Sequence, residues 1–600
     1  MYHPQNPQSV LSLRHRVGLA TVPLGLLLLW LTVLIPLYLP NMGGSGLKLP
    51  HNIITWGLMA AVVATIWLTQ PAAKAVRLTV TARWALLAIV ILAAPLIYTA
   101  PHWREAALAR WLALFGGWVF YFSLLQYRMH RVGRHGLYYA ILAAVTFQAV
   151  IALLQFTVPG IIPAGLAYPM QGGRVYGVFQ QANVLASFLA TGLALALMLF
   201  LSPSFACSQL HHERLRARAL GLLLIVFPVV LVWLQSRIGW VGGAAVALLF
   251  ITRFHRLIPL RTQWAACLLS LGLLMGVTVL LHGLYAQGGL RYVSHDFSNQ
   301  ARYTMLLDTL AMIIQKPLSG WGYGGFEYSF QHFRLTQTPP VVITEIARHP
   351  HNELLLWWVE GGLVALIGML LLLVCGLRLI MAALKTDRAR SRLFKLPAGD
   401  ATALCIVLLP MLLHTQTEYP FTLSAAHWAI FLLLLAQLDK QVGTLKERLS
   451  VPAATATLLR TALPMIALPL CVLTGTGLYA NLALTASERN QLVDIDPARQ
   501  AMAFDPWVNT ERWDYDRQTH ALLTFNHTRD PQLLEGYARW ASHYLSRRID
   551  KNVYASWIAI AHSQQDPLTQ RRLLQEAQTL FPDDQRFMPP MMPPHPETVL

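Results

Sequence analysis

The stretch HPHNELLLWWVEGGLVALIGMLLLLVCG, residues 349–376, decides the fold. Two histidines, an asparagine and a glutamate stand at the mouth of an apolar run that continues to about residue 383. A helix of about 20 apolar residues crosses a bilayer core, and this run exceeds that length. Ionisable side chains are costly inside hydrocarbon. A polar cluster at the head of such a run therefore belongs at a membrane boundary.

Similar runs recur along the whole chain. Of the 600 residues, 55% are hydrophobic and only 12% charged. Candidate spans fall near 17–40, 53–70, 83–100, 108–126, 137–158, 183–202, 217–235, 238–254, 262–286, 353–383, 401–418, 420–438 and 461–483, about thirteen in all. In lipid the backbone must satisfy itself, so an all-α polytopic protein is expected. The run from about Val17 has no small-residue cleavage site after it and reads as a retained anchor. Cys207, Cys267, Cys375, Cys405 and Cys471 show no CxxC spacing, so neither a disulfide framework nor a zinc site is indicated.

The net charge of +18 is unevenly placed. From residue 484 onward there are 15 acids and 12 bases; the rest has 13 acids against 34 bases. Basic excess confined to membrane loops is a topology signal, and it argues against nucleic-acid binding. Clusters such as Arg14 and Arg16, Arg128 to Arg134, Arg214 to Arg218, Arg253 to Arg261 and Lys385 to Lys395 all fall on one side if the span count holds. That side, with the N-terminus, is the cytoplasm. The outer side then holds 159–182, the turn at Ser236–Arg237, the long loop 287–352, HTQTEYP at 414–420, and everything after the last span.

Residues 1–483 thus read as the membrane domain and 484–587 as a soluble outer helical domain. Stretches such as HTRDPQLLEGYARWASHYL alternate with turn residues in a manner similar to tetratricopeptide repeats, and Ala577, Phe581 and Pro582 match the end of one. An irregular helical domain fits the same stretches. Residues 588–600 are a Pro-rich tail.

Polar groups near a membrane boundary gather on the outer face: Arg174, Arg237, Arg302, His349, His351, Glu418 and Tyr419. Arginine is disfavoured on that face, so these residues need another reason. Three outer arginines beside spans suit an anionic ligand, because the guanidinium fork binds phosphate bidentately. Plainer readings also fit. Arg237 suits a snorkelling anchor. Arg174 and Arg302 suit loop charges paired with carboxylates. Gln180, Gln181 and Asn183 suit a helix start with Asn183 as cap, and Asn352 suits the cap of a helix from Glu353. The glycines of GWGYGGF, 320–326, need only a turn.

Four segments carry a resemblance: GRVYGVFQQANVLASFLA (173–190), SRIGWVGG (236–243), ARYTMLLDTLAMIIQKPLSGWGYGGF (301–326) and HPHNELLLWWVEGG (349–362). Over roughly residues 160–440 the chain resembles the O-antigen ligase/polymerase superfamily, and within it the bacterial protein O-oligosaccharyltransferases that glycosylate pilin. One departure is Ala365, where ligases often continue a glycine-spaced pattern. The resemblance implies an inner-membrane glycosyltransferase of the C type. Its donor would be an oligosaccharide on undecaprenyl pyrophosphate at the periplasmic leaflet, and its acceptor a serine or threonine of a periplasmic protein such as pilin.

It further implies His351 as general base, since a histidine near its ordinary pKa of about 6.5 is available neutral. Arg237, Arg302 and Arg174 would hold the pyrophosphate, and Gln180 and Tyr419 would position sugar or acceptor. Neither metal nor cofactor is expected. A ligase acting on lipid A core, and a polymerase, are the alternatives sharing that donor site. A transporter should instead break its helices near midplane.

Overall fold

Asn352 starts the helix that the opening stretch predicts. Its side-chain oxygen accepts the Leu355 N–H at 3.0 Å, satisfying one donor that a helix start leaves open. In the computed structural model the chain then runs from Glu353 to Phe394, 42 residues, with a kink at Gly362 (φ 64°, ψ −156°). The structure describes residues 21–44, 46–71, 74–163, 166, 170, 174–179, 181–285, 296–337, 346–395, 397–443 and 448–588.

The kink explains the glycine-rich turn. The carbonyls of Val359 and Glu360, opened by the kink, accept the N–H groups of Trp321 at 2.9 Å and Gly322 at 2.8 Å. The Leu363 N–H donates to the Leu318 carbonyl at 3.1 Å. A Cβ on Gly362 would lie 2.1 Å from the Leu318 oxygen, and one on Gly320 would lie 2.4 Å from the Glu360 oxygen. Backbone docks on backbone here, and neither position has room for a side chain. Gly362→Ala is expected to cost at least about 2 kcal/mol, from the forbidden backbone region and the clash together. Thermal unfolding of the detergent-purified variant checks this; an unchanged midpoint would mean the kink is dispensable.

Among the described residues, ten helices are long and apolar enough to cross a membrane, from Pro50–Thr69 to Ala453–Arg489. The chain is an all-α polytopic membrane protein. The other three predicted spans are helical too, but differ. Val22–Leu34 and Asp400–His414 are shorter apolar helices, and the last of the three is Ala425–Val442. Fifteen residues rise only about 22 Å, short of a bilayer core of about 30 Å. Asp400–His414 therefore ends early, and its exit loop turns back into protein rather than lipid.

The helix Ala182–Leu201 lies at the centre of the bundle, and every residue in it except Asn183 is buried. Gly239 and Gly242 of the helix Arg237–Phe254 lie against Ala186 and Ala190 of this central helix. Small residues let two backbones approach closely. A two-residue antiparallel bridge, Arg77–Leu78 with Leu449–Ser450, ties two connections at the opposite end (Arg77 opposite Ser450). All five cysteines are free thiols.

After Arg489 the chain forms the helices Asp496–Met502, Thr510–Thr528, Pro531–Leu545, Lys551–Ser563 and Pro567–Leu580. Asp530, Asp550 and Asp566 cap the last three, each accepting a backbone N–H of the first turn. Two of these caps precede a proline at the first helical position, where no N–H is needed. Tyr537, Ala541, Val553, Tyr554, Leu573 and Ala577 form the core between these helices. The tail beyond residue 588 lies outside the described residues.

Candidate active site

Two loops meet above the central helix. One, 346–352, leads into the kinked helix; the other, 415–419, leaves the short helix Asp400–His414. The Glu353 N–H donates to the Thr415 carbonyl at 2.9 Å, and the Asn352 amide donates to the Gln416 carbonyl at 3.2 Å. This junction sets Tyr419 over His349, ring centres 3.9 Å apart and 26° from parallel. His351 lies 6.3 Å from both rings.

His351 adopts φ +54°, a region uncommon for residues other than glycine. Its N–H donates to His349 Nδ1 at 2.9 Å. That bond assigns the His349 proton to Nε2, and Nε2 is buried with no hydrogen-bond partner among the described residues. Burial above all, and then the His351 and Arg110 charges, hold the His349 imidazole well below its ordinary range, so it stays neutral.

Glu418, the residue before Tyr419, is the centre of the polar cluster. It is almost fully buried. Its carboxylate accepts from Gln181 Nε2 at 2.9 Å, Asn183 Nδ2 at 2.8 Å and Arg302 Nη2 at 2.8 Å. His414 Nε2 lies 3.2 Å away. Burial alone would raise this carboxyl; the hydrogen bond and charge of His414, the Asn183 amide and Arg302 outweigh it and hold the group below the usual range. Behind it, His414 Nδ1 meets Ser187 Oγ at 2.9 Å, and His427 Nε2 lies 3.2 Å from the same hydroxyl.

Two of the three predicted arginines, Arg302 and Arg174, interact with this carboxylate. Arg302 is ion-paired to it. Burial above all lowers the Arg174 pKa; the attraction of Glu418 opposes this and the repulsion of Arg302 adds to it. Arg237 hydrogen-bonds Asn299. The Ser236 hydroxyl, which caps the helix that Arg237 begins, donates to Asn183 Oδ1 at 2.8 Å. Of the remaining predicted residues, Tyr419 joins the histidine stack, and Gln180 lies outside the described residues. Asn183 is not the cap of the central helix, whose cap position is Gln181. Its amide instead bridges Glu418 and Ser236.

Two supports were not foreseen. Arg110, inside the helix Pro101–Gln126, pairs with buried Glu360 and lies over the rings of Trp357 and Tyr323, at 5.2 and 5.7 Å from their centres. Glu360 also accepts the Phe326 N–H at 3.1 Å, starting the helix Phe326–Leu335. Glu327 of that helix binds Arg548 at 3.0 Å and the Ile549 N–H at 3.1 Å, and lies 3.6 Å from Arg348. The C-terminal helices are thereby docked on the segment that leads to His349. No group of three His, Cys, Asp or Glu side chains converges as a metal site would need, among the described residues.

Fold and site together describe a multi-pass membrane protein with a cluster of polar groups at one end of the bundle. Three family models match: protein glycosylation ligase over residues 175–200, O-antigen ligase over 220–370, and the C-terminal part of the virulence factor membrane-bound polymerase over 402–590. Over these stretches the chain is similar to the O-antigen ligases and protein glycosylation ligases. Each match contributes to the one site: Gln181, Asn183 and Ser187 from the first, Arg237, Arg302, His349 and His351 from the second, His414, Glu418 and Tyr419 from the third. No curated protein matches the chain.

Proposed function

We propose that this protein transfers an oligosaccharide en bloc from undecaprenyl pyrophosphate to serine or threonine hydroxyls of a periplasmic protein, pilin being the expected acceptor. The observation that carries the reading is the juxtaposition of the arginine cluster around Glu418 with the His349–Tyr419–His351 group. An anion-binding surface and a base then stand side by side.

His351 takes the acceptor hydroxyl proton as that oxygen attacks the anomeric carbon. The bond from that carbon to the pyrophosphate oxygen breaks, and undecaprenyl pyrophosphate leaves as the anion. Arg237, Arg302 and Arg174 neutralise the charge that develops on it. Tyr419 and Gln180 position sugar or acceptor, and His351 returns its proton to water. No metal takes part in this scheme.

Residues 1–483 form the catalytic domain in the inner membrane, with loop 287–352 periplasmic, the N-terminus cytoplasmic and 484–587 periplasmic. The docking of Arg548 on Glu327 supports a role for the C-terminal helices beside the acceptor path. The second reading is growth of a polysaccharide or its ligation to lipid A core; the polymerase match over 402–590 favours keeping it.

Cysteine labelling from outside intact cells tests the sidedness. Cysteines placed in 346–351 and beyond 490 should react, and those in 385–395 should not, because basic loops stay inside. The reverse pattern would overturn the reading. For the acceptor, purified protein and lipid-linked oligosaccharide would be given pilin or core lipid A in turn. Release of undecaprenyl pyrophosphate should depend on pilin; release that depends on core lipid A would assign the ligase reading instead.

A further inference from the structure

We infer that Glu418 is the positioning residue that sets the arginines for the donor's pyrophosphate. The inference rests on the functional reading above. One buried carboxylate touches Arg302 directly at 2.8 Å. Through the Asn183 amide it reaches Ser236, the cap of the helix that begins with Arg237. Arg174 lies within its field. A single side chain thus touches Arg302, lies near Arg174 and is linked through the helix cap to the backbone that carries Arg237.

The geometry distinguishes this from an ordinary ion pair. Glu418 is almost fully buried, whereas Arg302 is partly exposed. The carboxylate holds the guanidinium through Nη2, and among the described residues the rest of the fork is open to an anion. A carboxylate facing outward would repel pyrophosphate; here it sits behind the arginine. Gln181, Asn183 and His414 fix it from the other sides. An arginine on a loop helix has many rotamers, and anchoring one edge removes most of them before the donor arrives. The same peptide carries Tyr419, so the carboxylate also fixes the residue that stacks on His349.

Glu418→Gln removes the charge and turns an amide N–H toward a site where Gln181, Asn183 and Arg302 all donate. Binding of undecaprenyl pyrophosphate to the purified full chain, and KM for the lipid-linked donor, read the effect. E418Q should weaken binding and raise KM at least tenfold, with a smaller change in kcat and little change in thermal midpoint. Glu418→Asp keeps the charge but shortens the reach; it should fall between, and it carries the test should E418Q fail to accumulate. In an R302A background the cost of E418Q should shrink several-fold, because the group it positions is gone.

Equal losses in both backgrounds, or an unchanged donor KM in a folded E418Q or E418D, would overturn the role of Glu418 alone. A wild-type protein that does not bind undecaprenyl pyrophosphate would overturn the functional reading and this inference with it.

Discussion

Replacing His351 with alanine is expected to lower the transfer rate by about a thousandfold, with donor binding and membrane level near wild type. A positioned general base contributes about 10²–10⁴ in rate. The loss falls on rate because His351 is separate from the arginine cluster, which meets Glu418 instead. His349→Ala should be milder, about tenfold. His349 is buried and neutral, and it orients the His351 backbone rather than taking the acceptor's proton. The measurement is transfer rate per folded enzyme at saturating donor. Equal losses at 349 and 351 would leave the choice of base unsupported.

Replacing Arg302 with alanine costs two effects at once. A missing charge-assisted contact to the leaving group costs on the order of a hundredfold in rate, or about 3 kcal/mol in the barrier. The same substitution leaves the Glu418 carboxylate without its partner at 2.8 Å, so negative charge faces the pyrophosphate. The expected total is about two to three orders of magnitude in kcat/KM. Arg302→Lys keeps the charge but loses the fork, and should retain a small residual activity. Rates would be measured with chelator present throughout. Wild-type activity in the lysine variant would remove Arg302 from the site, and loss of wild-type activity on chelator alone would point to a metal.

Much of this architecture was legible because apolar runs and basic loops are local signals. Asn352 could be read as a cap since the donor it satisfies lies only three residues on. The Glu418 cluster could not be assembled this way. Its partners at 181, 183 and 302 lie more than a hundred residues away, and only the packing of the central helix brings them together.

Asn183 was misassigned for a related reason. At a helix start its local capping role and its tertiary bridge compete, and the bridge to Glu418 and Ser236 wins. Arg110 and Glu360 were hidden inside apolar helices, where each neutralises the other. The kink at Gly362 left only a Gly-Gly pair in sequence; the turn at 318–322 that docks on it is remote along the chain.

Intact-mass spectrometry of a pilin acceptor, incubated with purified protein and undecaprenyl-pyrophosphate oligosaccharide, tests the central claim most directly. The account predicts a single increment equal to the whole oligosaccharide, on a serine or threonine, absent with H351A. An unmodified pilin alongside an elongated lipid-linked glycan, or alongside glycosylated core lipid A when that is added, would contradict it.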